Sequence, residues 1–106
     1  MDLVNKIKYD LESAKNLNQI GLYNALVNVS NGTIENYIIT SGISYDILMN
    51  ILPQLDYTYT IEDVLDKTLY GDLVYILRIY TNNSNDLKIN YNFHIGSLII
   101  TIYDGE

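Results

Sequence analysis

Five segments of strand-like alternation, three apolar stripes of helical period and turn dipeptides between them predict an α+β domain in the order α-β-β-α-α-β-β-β. Tight connections between successive strand segments favour antiparallel neighbours. The expected architecture is therefore a mainly antiparallel sheet of about five strands with helices packed on one face. With 106 residues the chain is expected to form a single compact domain, 1–106, because a second core would need more chain.

The elements follow in order. Leu3, Val4, Ile7, Leu11, Ala14 and Leu17 recur at three- and four-residue spacing, with Asp2 placed to cap and the stretch from Asn16 to Gly21 placed to stop a first helix. Asn31-Gly32 suits a two-residue type I′ turn, because both central positions need positive φ. It predicts a hairpin of Leu22–Ser30 with Thr33–Thr40 in which Val29 faces Ile34 and Ala25 faces Ile38. Ser44 is placed to cap a short second helix with the stripe Ile47, Leu48, Ile51 and Leu52, disrupted at Pro53. Thr60 followed by Asp63 approximates a capping box for a third helix carrying Ile61, Val64, Leu65 and Leu69, closed by Gly71. Three alternating runs complete the chain: Leu73 to Tyr80, Leu87 to His94 and Leu98 to Tyr103, with turns at Asn82–Asp86 and Gly96-Ser97.

Composition narrows the chemistry. The absence of cysteine excludes disulfides, thiolate metal sites and cysteine nucleophiles. No glycine-rich phosphate loop, nucleophile elbow or paired-histidine motif occurs, so an enzyme is not expected, and neither is a cofactor or a metal. His94, the lone histidine, is the natural acid–base candidate at neutral pH, yet its place beside Gly96-Ser97 reads as a solvent-facing turn position. The run Asn82–Asp86 lacks the glycine and glutamate positions of a calcium loop. Apolar runs are too short to span a membrane and the N-terminus mixes charges, so the expected location is the cytoplasm. Abundant Asn, Ile and Tyr beside scarce Ala, Pro and Arg reflect A/T-rich codons. A low-GC bacterium, or a virus or mobile element in such a host, is the implied source.

Charge points to a partner class. Thirteen acids stand against six bases, a net charge of −7, and the excess is concentrated around the third predicted helix. Six scattered bases give a phosphate backbone little to hold, so direct nucleic-acid binding is not expected. An acidic surface is steered towards basic ones instead. The reading is a small acidic inhibitor that occludes a basic partner protein, such as a nucleic-acid-binding enzyme engaged by DNA mimicry. An immunity protein that neutralises a nuclease toxin is the alternative. Asp56, Glu62, Asp63, Asp66 and Asp72 are the expected contacts to Lys or Arg, and Tyr57, Tyr59 and Tyr70 the expected aromatic contacts. Two further classes are a homodimer built through Leu98–Tyr103 as an uncharged edge strand, and a small neutral ligand held between sheet and helices.

Overall fold

The computed structural model describes residues 18–66 and 71–105. Within these residues the elements are a helix α1 (18–30), β1 (Asn36–Ile39), α2 (Tyr45–Gln54), β2 (Thr58–Asp66), β3 (Leu73–Tyr80), β4 (Leu87–Asn92) and β5 (Ser97–Ile102). The class is α+β, with one five-stranded antiparallel sheet in the order β1-β5-β4-β3-β2. The helix expected over Leu3–Leu17 lies outside the described residues, as do Leu69 and Tyr70. No helix among the described residues is long and apolar enough to cross a membrane.

The first predicted hairpin does not form. Residues 18–30 are helical straight through Gly21, and only the second half of the expected pair becomes a strand, β1. The physical reason lies in the spacing of Leu22, Ala25, Leu26 and Val29. These residues fall on one face of a helix, and all four are essentially removed from solvent. Asn31-Gly32 then ends the helix rather than turning a hairpin. Gly32 adopts φ +81°, and the backbone N–H groups of Asn31 and Gly32 donate to the carbonyls of Val27 and Val29. The exposed amide of Asn85 in the β3–β4 turn also reaches back to the Ser30 carbonyl, through its backbone N–H at 3.0 Å and its side chain at 3.1 Å.

α2 forms as expected. Ser44 caps it by accepting a hydrogen bond from the Ile47 N–H at 3.3 Å, and Ile47, Leu48, Ile51 and Leu52 are buried. Its C-terminus closes with Asp56 in the left-handed region at φ 57°. The Asp56 N–H donates to the Pro53 carbonyl at 3.0 Å, and the Tyr57 N–H to the Leu52 carbonyl at 2.9 Å. This is a Schellman closure with aspartate where glycine is usual.

The third predicted helix is instead strand β2, joined to β3 over its whole length. Thr58, Tyr59, Thr60, Ile61 and Val64 are β-branched or aromatic, types that favour an extended backbone once a partner strand is available. A bulge between Ile61 and Asp63 adds one residue to β2 and shifts the register with β3.

The core lies between the helices and one face of the sheet. There Leu77 and Ile79 of β3, Leu87, Ile89 and Tyr91 of β4, and Leu98 and Ile100 of β5 meet the buried faces of α1 and α2. Each fully buried Leu or Ile side chain contributes about 1.5–3 kcal/mol relative to exposure. β5 is interior, between β1 and β4, so the sheet ends at β1 and β2 and not at Leu98–Tyr103. The edge-strand homodimer expected through Leu98–Tyr103 is therefore corrected: that strand has no free edge.

Candidate functional site

The strand alternation that buries Leu77, Ile89 and Ile100 turns the intervening residues to the opposite face, away from the described helices α1 and α2. Register places Asp63 beside Ile76, Ile76 beside Asn90, and Asn90 beside Ile99 across that face. A groove of about 350 Å³ opens where β2, β3 and β4 meet the chain leaving β5. Ile76, Leu65 and Asn90 form its floor; Glu62, Asp63 and Asp104 bring carboxylates to it, and Lys88 one ammonium.

Of the two described cations on this face, Arg78 and Lys88, the first is engaged within the fold. The Arg78 guanidinium sits over the Tyr103 ring at 4.0 Å and the Tyr80 ring at 4.8 Å, and its Nη2 is 3.4 Å from Asp86 Oδ2. The planar cation is thus stacked and neutralised within the fold. Asp86 is itself fixed by accepting from the Thr81 N–H at 3.0 Å, which ties the β3–β4 turn to the ion pair.

The carboxylates expected to act together are strung along an edge strand. A helix would have grouped Glu62, Asp63 and Asp66 on one side. The strand divides them: Asp63 points to the open face, Glu62 sits in the bulge and Asp66 falls on the helix-bearing side, all three exposed. Asp56 lies beyond the other end of β2 in the α2 cap, about 30 Å from Asp66 at the usual strand rise. Asp72 precedes β3 and accepts from Asn92 Nδ2 at 3.3 Å.

Tyr57 and Tyr59, expected as exposed contacts, are half-buried against the core. The Tyr57 hydroxyl lies 2.8 Å from Ser30 Oγ, joining the residue before β2 to the end of α1, and the Tyr59 hydroxyl lies 3.0 Å from that of Tyr45. That hydrogen bond, with burial, holds the Tyr45 phenol above its ordinary pKa. Tyr70 lies outside the described residues.

Other features have no counterpart in the sequence reading. Lys88 and Asp104 reach the groove only because β4 and the chain after β5 lie beside β2 and β3 in space. Phe93 gathers Tyr45, Tyr75 and Tyr91 around its ring, at centroid distances of 5.7, 5.7 and 6.2 Å. His94, by contrast, is where the sequence places it, exposed in the β4–β5 turn beside Phe93. Among the described residues no group of three or more His, Asp or Glu side chains is arranged to hold a metal. Comparison of the chain with protein-family models, with curated proteins and with solved structures gives no match.

Proposed function

We propose that this protein is a small acidic inhibitor that occludes a basic surface on a partner protein, acting in the cytoplasm. The reading is carried by the charge balance: the described residues hold nine carboxylate side chains against Arg78 and Lys88, and Arg78 is already paired with Asp86. A field of one sign speeds encounter with a surface of the other and leaves like-charged surfaces unbound. The groove brings the Glu62 and Asp63 carboxylates beside the Leu65 and Ile76 side chains, a mixed polar and apolar lining that suits the aliphatic stem and charged head of a Lys or Arg. A nucleic-acid enzyme or nuclease, whose cleft is lined with such side chains, is the partner class that fits.

The test is capture of basic proteins from a low-GC bacterial lysate by the tagged chain at low and high salt, beside its E62K/D63K/D66K variant. All three positions are exposed, so the variant is expected to keep the wild-type circular dichroism. Salt-sensitive capture of one basic protein, abolished in the variant, is the expected result. A partner bound equally by the folded variant removes the acidic edge from the account. Where a carboxylate becomes desolvated against its partner, truncating it alone costs about 2–5 kcal/mol of binding.

A further inference from the structure

The two edges of the sheet differ in chemistry. β2 carries exposed Glu62, Asp63 and Asp66 and a bulge, which are the devices that keep an edge from pairing with another chain. β1, at four residues the shorter edge, carries neither a charge nor a bulge. Its Tyr37 is 42% exposed and its Ile38 61%, and Ile99, next to Ile38 in register on β5, is exposed as well. α1, whose Asn18 and Gly21 share a cleft of about 420 Å³ with β1, exposes Ile20 and Tyr23. Between Lys15 and Asp46 the only charged residue is Glu35. Among the described residues, β1 pairs with β5 alone, leaving its outer backbone edge unmatched.

We infer that β1 is a self-association edge, at which two copies of this chain pair β1 against β1 and join their sheets into one of ten strands. The distribution of charge selects the occupant. Apart from Glu35, the edge has nothing to attract a basic or an acidic partner, whereas a second copy brings the same uncharged, apolar strand. Antiparallel pairing about a two-fold axis keeps like faces together, so both copies of Ile38 lie on the open face and both copies of Tyr37 on the helix-bearing face. It also sends the two acidic β2 edges to opposite ends. At nine strand spacings they are about 43 Å apart, against a Debye length of about 8 Å at physiological salt. Pairing of β1 with β2 would instead run on into a filament, and the bulge and carboxylates of β2 oppose it.

The test is sedimentation of the full chain from low to high micromolar concentration, with hydrogen exchange at both ends of the range. A reversible monomer–dimer equilibrium is expected, with the amides of Tyr37, Ile38 and Ile39 gaining protection in the dimer while those of β2 do not. The Y37K/I38K variant, checked for folding by circular dichroism, is expected to weaken the dimer at least tenfold, and E62K/D63K to leave it intact. A wild-type monomer across the range overturns the inference. If the β1 amides are already protected in that monomer, the edge is covered by residues 1–17 of the same chain. A dimer whose β1 amides gain no protection, or one kept at full strength by folded Y37K/I38K, overturns it equally, and the exchange result stands even where the variant does not fold.

Discussion

Gly96 shows how much a single backbone position can decide. It has φ +71°, and a Cβ built on it would meet the Ile43 backbone at 2.5 Å from O and 2.7 Å from N. That close approach lets the Ile43 N–H donate to the Gly96 carbonyl at 3.0 Å and leaves the Ile43 carbonyl to accept from the buried Tyr91 hydroxyl at 2.7 Å. Gly96→Ala is expected to cost more than the ~1–3 kcal/mol of left-handed strain alone, because the Ile43 strand connection must shift. Gly71→Ala, with φ +74° but nothing within 4 Å, should cost only the strain; urea denaturation of the two variants measures the difference. Tyr91 and Tyr45 are expected to make the fold sensitive to alkali. Burial, with the Asp46 charge, raises the Tyr91 pKa, and the Tyr59 hydrogen bond, with burial, raises that of Tyr45. The native state thus holds both phenolic protons more tightly than the unfolded chain does. Their stabilisation is complete below the unfolded value of about 10 and is lost as pH rises through the higher native values. Urea midpoints should fall above about pH 10, and less steeply in Tyr45→Phe.

At the scale of elements, α2 and β2 meet at the Asp56 cap, where an L-residue occupies a position that glycine fills without strain. Asp56→Gly is expected to stabilise the protein by about 1 kcal/mol, read as a higher urea midpoint with unchanged slope; a loss of stability would mean that the carboxylate itself supports the turn. The same scale separates what local pattern could decide from what it could not. α2 was readable because Ser44, the stripe from Ile47 to Leu52 and the stop after Pro53 all agree. Residues 22–30 satisfied both periods loosely, and Asn31-Gly32 serves a helix end as readily as a hairpin, so the choice fell to burial of Leu22, Ala25, Leu26 and Val29. In β2 the stripe Ile61, Val64 and Leu65 imitated a helix, yet Ile61 and Val64 remain about half-exposed, at 50% and 47%. Pairing with β3, rather than burial of an apolar stripe, determines that segment.

At the scale of the whole molecule, charge and topology act together. Acids far outnumber bases along the chain, and mutual repulsion opposes the compact state most strongly when screening is weak. The melting temperature of dilute protein is therefore expected to rise by several degrees between ~0.01 M and ~1 M sodium chloride, as the Debye length falls from ~30 Å to ~3 Å. A flat profile would mean that the carboxylates are too dispersed along β2 to repel one another. Composition, net charge, the absence of thiol chemistry, the α+β class and the three C-terminal strands follow from residue types and short-range periodicity, and so belong to the sequence alone. Strand order belongs to the tertiary structure: which strands become edges, which carboxylates share a face, and how Arg78 comes to lie between Tyr80 and Tyr103 depend on partners far apart in the chain. Periodicity records which side of an element is apolar; only packing decides what that side meets.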